Sequence, residues 1–142
     1  MLTAANPSVT TRELSDRECW DYLAAHEYGR IAVISRDEPA IYPIGYAVAP
    51  GGIRIRTRIG SKLLAILVDG RVAFEVDDLD ERVARSVMVV GWAEQLDAHD
   101  AAESSTPAAP FAGADAHAVV LITPTRVTGR ELSLDAVMTR SS

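Results

Sequence analysis

Residues 51–76, GGIRIRTRIGSKLLAILVDGRVAFEV, decide how the rest of the chain is read. A glycine pair opens onto Ile53-Arg54-Ile55-Arg56-Thr57-Arg58, an alternation with the period of a strand that has one apolar face. Ile53, Ile55 and Thr57 share one side and Arg54, Arg56 and Arg58 the other, because successive side chains leave a strand in opposite directions. Gly60-Ser61-Lys62 interrupts the pattern, an apolar run from Leu63 to Val68 follows, and Asp69-Gly70 leads into a second strand from Arg71 to Val76. The spacing predicts strand, glycine turn, short helix, strand. Ser61 stands where a helix N-cap belongs. The free N–H groups of a helix N-terminus suit a phosphate, with Lys62 and either Arg56 or Arg58 as countercharge. A solvated basic strand face followed by an ordinary capped helix fits the same spacing.

The basic cluster is local, because the chain as a whole is acidic. With 142 residues and a net charge of −6 it has the length of one domain with a real core, and a field that does not favour nucleic acid or an anionic membrane. The apolar run beside the cluster is far too short to span a bilayer, and the chain opens without the charged and apolar regions of a signal peptide. One cysteine, Cys19, has no internal disulfide partner, which predicts a cytoplasmic location. Scattered histidines and a single cysteine argue against structural zinc.

Upstream, residues 1–12 are expected to be a disordered tail. Ser15 and Glu18 have capping-box spacing with Leu14 as the staple, and the helix they start is expected to stop near Tyr28-Gly29. Arg30–Ser35 reads as a strand, Asp37-Glu38-Pro39 as a turn, and Ala40–Ala49 as a strand. Pro43 puts this second strand at an edge or at a bulge, and Gly45 adds to the irregularity. Downstream, Asp77-Asp78-Leu79-Asp80-Glu81 reads as an acidic, solvated loop. Arg85–Leu96 reads as a long strand with Val87, Val89 and Gly91 on one face and Ser86, Met88, Val90 and Trp92 on the other. Apolar residues on both faces suggest a strand that also meets a second subunit. Residues 97–116 read as a connection with a short helix near 98–103, His99 and His117 as surface residues, and 118–123 with 127–131 as the last strand. A single domain at 13–132 and a tail at 133–142 result. Six short strands separated by turns argue for a barrel or sandwich.

The segment IRTRIGSKLLAILVDGRVAFEV, together with RSVMVVGWAE at 85–94, PAIYPIGYAV in the second strand and a terminal TPTRVTGRE, resembles the pyridoxamine 5'-phosphate oxidase-like, FMN-binding split β-barrel family. The resemblance covers about residues 13–97 and 117–131. It implies a mainly β (α+β) fold, a six-stranded split barrel with short flanking helices, assembled as a homodimer with the flavin at the interface. Carried over by position, it puts Tyr42, Pro43, Ile44 and Gly45 beside the flavin ring, Arg56 and Thr57 at the phosphate-ribityl end, and Ser61 and Lys62 on the phosphate. Ser86, where such oxidases usually have Gln, and Trp92 would serve the partner's site. The chain ends without the substrate-binding Trp and Arg segment of pyridoxamine-phosphate oxidases, so oxidation of vitamin B6 is not the expected reaction. No nucleophile constellation stands out, as expected when a cofactor carries the chemistry. The resemblance therefore implies an FMN-dependent oxidoreductase acting on a small substrate that the sequence does not name. The deazaflavin F420, haem, or a non-catalytic flavin- or haem-binding module are the alternatives.

Overall fold

In chain order the elements are β1 (Val9–Glu13), α1 (Asp16–Ala24), β2 (Tyr28–Ser35), β3 (Glu38–Ala49), β4 (Gly52–Arg58), α2 (Lys62–Leu67), β5 (Gly70–Leu79), β6 (Val83–Gln95) and β7 (His117–Leu134). They come from a computed structural model, which describes residues 8–67, 70–97, 99–100 and 117–134. The alternation at 53–58 does what its period dictates. Ile53, Ile55 and Thr57 are buried, and the arginines of β4 stand on the other face. In β6 the same rule buries Val87, Val89 and Gly91 and turns Ser86, Met88, Val90 and Trp92 outward.

All pairings are antiparallel, in the order β7-β4-β3-β2-β5-β6, and β6 pairs back onto β7 to close the ring. The closed sheet is a split barrel because β7 changes partners along its length. His117–Ile122 pair with β4, whereas Arg130–Leu134 pair with β1, and β6 follows β7 on its other side almost throughout. Between those halves the register to β6 slips at Val90/Gly91, leaving Thr125 as the extra residue; its hydroxyl donates to the Val90 carbonyl at 3.1 Å. Pro124 lies in this stretch, where a missing N–H costs least.

The inward faces form one core, with Ile31, Ile53, Ile55, Phe74, Val76, Val89 and Ile122 among its members. Each large apolar side chain so buried contributes about 1.5–3 kcal/mol relative to exposure. Leu64 and Leu67 of α2 join it, with α2 packed against β2, β4 and β5; Cys19 and Leu23 of α1 join it from the side of β3, β6 and β7. The capping box forms as the spacing requires. Ser15 Oγ accepts from Glu18 N at 3.1 Å, and Glu18 Oε1 accepts from Ser15 N at 2.9 Å.

The structure alters several expectations. All six expected strands are present, and a seventh, β1, occupies residues 9–12 of the expected tail. Its own side chains are exposed, so its signal lies in pairing with β7 rather than in hydrophobic periodicity. Likewise Ser133 and Leu134, expected to be frayed, extend β7. Helix α1 stops at Ala24 instead of running to Tyr28-Gly29, which belong to β2. The acidic loop is shorter than expected: Asp77 and Asp78 lie in β5 opposite Ser86 and Arg85. His117 is half-buried at the start of β7, opposite Arg58. Most of the helix expected at 98–103, and the tail beyond 134, lie outside the described residues.

Candidate functional site

The site begins with an unpaired strand edge. β3 pairs with β2 in unbroken register from Tyr28↔Gly45 to Ser35↔Glu38, so there is no bulge at Pro43. On its other side β3 pairs with β4 only from Tyr46 to Ala49. The stretch from Glu38 to Gly45 is thus an edge, and Pro43, which has no N–H to offer, sits there without cost to a ladder. Of the two alternatives for Pro43, edge or bulge, the edge is what forms.

Two cavities flank that edge. One, of about 510 Å³, lies on the outer face and is lined by Tyr28, Gly29, Arg30, Ile41, Pro43, Ile44 and Asp77. The other, of about 420 Å³, lies between the β2–β3 turn and α2, with Ser35, Arg36, Glu38, Ala40, Tyr42, Lys62 and Ala65 around it. Alternation along β3 sends Ile41 and Pro43 to one cavity and Ala40 and Tyr42 to the other. In the outer cavity Arg30 donates to Glu75 Oε1 at 2.9 Å and to Asp77, and these bonds, Asp77 first, hold its guanidinium above its ordinary pKa.

The turn from β4 into α2 is built locally. Gly60 takes the left-handed conformation at φ +82°, and Ser61 N donates to the Arg58 carbonyl at 3.0 Å. Ser61 then caps α2, its Oγ accepting from Leu64 N at 3.0 Å while lying 3.1 Å from Thr57 Oγ1. Thr57 and Ser61 are therefore joined to each other, and Lys62, the next residue, projects to the cavity that Tyr42 lines. Arg56 stands on the opposite face of β4 from Thr57 and borders neither of these cavities. Arg36 does border Lys62's cavity. The sequence offered a signal for it only in hindsight, as a basic residue in the turn between two strands.

Ser86 and Trp92 lie elsewhere on the outer face. Ser86 lines a groove of about 420 Å³ with Glu75, Met88, Arg126, Thr128 and Arg130. Trp92 is 49% exposed, with the Arg71 guanidinium 5.5 Å from its ring centroid. Cys19 is buried, and burial first, then Asp16 and Glu18, raises its thiol pKa, which leaves it an inert core residue. Tyr22 donates its hydroxyl to Asp78, and burial first, then that bond, raises its pKa, so the phenol keeps its proton at neutral pH.

These residues fit a flavin phosphate. An apolar cavity beside a proline-bearing strand edge suits a flat aromatic ring, and the cavity across that edge holds Lys62, which makes no ion pair among the described residues. The sequence profile of the family described as "Pyridoxamine 5'-phosphate oxidase" matches residues 15–131. The chain belongs to that family. It is 31% identical over 132 residues to the uncharacterized protein Rv0080 of Mycobacterium tuberculosis, covering 87% of each. The FAD binding protein from Mycobacterium smegmatis shares its fold with a TM-score of 0.77 at 32% identity, covering 87% of this chain and 100% of that one. A FAD-binding protein from Mesorhizobium loti has a TM-score of 0.73 at 25% identity, over 89% of this chain and 99% of that one.

Proposed function

We propose that this protein binds a flavin phosphate, FMN or its adenylated form, across the open edge of β3, and acts as an oxidoreductase on a small substrate. The observation that carries the reading is the unpaired edge from Glu38 to Gly45 with an apolar cavity on one side and Lys62's cavity on the other. The names of the two FAD-binding relatives support the flavin. Bound there, a flavin supplies hydride or electron transfer, which no side chain of either cavity provides. The chain's own part is to position. Pro43 and Ile41 wall the ring, the backbone of residues 42–45 offers unpaired polar groups along the edge, and Lys62 with Tyr42 holds the phosphate-bearing end.

The reading includes a homodimer. Ile41, Ala32, Ala73 and Val90 lie side by side across four strands on the outer face, flanked by Met88 and Trp92. A second copy covering this row would also close the outer cavity and bring its own Ser86 and Trp92 near the ring. Among the described residues no helix is long and apolar enough to cross a membrane, and the partnerless Cys19 favours the cytoplasm.

The absorbance of protein purified without added cofactor separates flavin from deazaflavin and haem. Turnover with a reduced nicotinamide and a general acceptor separates an enzyme from a binding module. Lys62→Ala is expected to weaken FMN binding by about ten- to a hundredfold, the worth of one charge-assisted hydrogen bond, and to leave riboflavin binding unchanged. Unchanged FMN affinity in a folded variant removes Lys62 from the phosphate.

A further inference from the structure

We infer that Arg30 sets the redox balance of the outer cavity, its guanidinium donating to the flavin ring and favouring the reduced form over the oxidised one. The inference rests on the flavin reading and adds to it the residue that tunes the bound ring.

Placement is the first ground. Arg30 faces Pro43 in the β2–β3 register and Glu75 in the β2–β5 register, so the three stand in one row across the outer face. Pro43 and Arg30 line the same cavity, and among the described residues around it Arg30 is the only cation. A ring walled by Pro43 and Ile41 has this guanidinium as its neighbour.

Uncommitted donors are the second. A guanidinium carries five N–H groups, and the bonds to Glu75 and Asp77 both come from Nη2. Nη1 and Nε, with three N–H groups between them, have no partner among the described residues. The two carboxylates of β5 therefore fix the arginine without using it up. A planar fork held in this way loses little further freedom when it donates to a ligand.

Charge is the third. A two-electron donor such as a reduced nicotinamide passes two electrons and one proton to the ring and is itself oxidised. The ring is left with one negative charge, on N1 and the carbonyl beside it, and fixed charge nearby shifts the balance between its two forms. Arg30 is charged at every working pH, and its bond to an anionic acceptor is stronger than its bond to a neutral one. Asp77 also lines the cavity and acts in the opposite sense. It does so only through space, whereas Arg30 acts through a hydrogen bond, so the guanidinium prevails.

The test is the midpoint potential of flavin bound to the full chain, loaded as FMN and separately as FAD, and read against a dye of known potential. Wild type, Arg30→Gln and Asp77→Asn are compared, with the affinity for the oxidised flavin measured by calorimetry. The shift from the free flavin's potential reports the ratio of affinities for the reduced and oxidised forms, which a residue that only shapes the cavity does not move. Arg30→Gln should lower that ratio about tenfold, one charge-assisted hydrogen bond at its low end, or about 30 mV for a two-electron couple. Asp77→Asn should move the potential upward. An Arg30→Gln variant that keeps the wild-type potential overturns the inference and leaves the flavin reading standing. So does one that loses affinity for both forms alike, or an Asp77→Asn potential that falls or stays unchanged. Failure of the wild type to bind either flavin overturns both.

Discussion

Gly29 shows how much of this protein is decided one residue at a time. A Cβ built there would lie 2.5 Å from the Glu75 carbonyl and 2.7 Å from the Phe74 ring. Read in sequence, the glycine looks like a helix stop; in the fold it is the place where β5 presses against β2. Gly29→Ala should therefore cost about 1–3 kcal/mol, the usual penalty for overpacking, measured by urea denaturation. It should also distort the outer cavity, which Gly29 lines. A variant as stable as the wild type would show that β2 and β5 can part without loss. Tyr46 makes the complementary case. Its ring is buried edge-on to Phe74 at 4.8 Å, and its hydroxyl donates to the Leu23 carbonyl at 2.6 Å, tying β3 to the end of α1. Tyr46→Phe keeps the ring and should cost about 0.5–1.5 kcal/mol, the net worth of one hydrogen bond.

At the scale of elements, α1 is anchored by Cys19 and Leu23 in the core, whereas β1 buries none of its side chains and is held by its backbone pairing with β7 and by a cluster of ion pairs. Arg12 donates to Glu18 Oε2 at 3.0 Å and to Glu131 Oε1 at 3.3 Å, and Arg85 donates to Glu131 Oε2 at 2.8 Å. The bond from Arg85, then that from Arg12, holds Glu131 below the usual carboxylate range; Glu18 is lowered first by the Ser15 N–H and then by Arg12. A carboxyl whose folded pKa is depressed contributes stability that is complete above its unfolded value, about 4.3 for glutamate, and is lost as pH falls through the folded value. Stability should accordingly decline below about pH 4.3, with β1 released first because its side chains bury nothing. Glu131→Gln should flatten part of that decline when melting temperature is followed against pH. Parallel curves for the two proteins would mean that these ion pairs, exposed as they are, contribute nothing measurable.

For the whole molecule, the outer face of β3, β2, β5 and β6 is the surface to test. Ile41 is 67% exposed, Trp92 49% and Met88 37%, around the apolar row from Ile41 to Val90. Contiguous apolar surface of this kind marks an interface more often than open solvent. Light scattering at micromolar concentration should give twice the chain mass, and Trp92→Glu should shift the protein toward monomer. A wild type that stays monomeric refutes the dimer and with it any role for Ser86 and Trp92 in a partner's site.

Local periodicity was enough to read β4, β6 and the capping box of α1, because alternation and side-chain-to-backbone caps act over a few residues and are written in them. Pro43 announced an edge or a bulge for the same reason, since a missing N–H is a local fact, and the pairings of β3 decided for the edge. The shape of the site was not local. Ser61 reads as a cap, and is one, but which cation joins Lys62 depended on how β2 and β3 fold back beside α2. That return path put Arg36 in Lys62's cavity and left Arg56 on the far face of β4. β1 was invisible for a related reason, since a strand that buries none of its side chains has no hydrophobic period and exists only through the β7 backbone it pairs with. Local sequence determined six of the seven strands, the two helices and which faces are apolar, with β1 the exception. The tertiary structure alone decided which side chains share a cavity, because that is set by pairings between residues as distant as Val9 and Leu134.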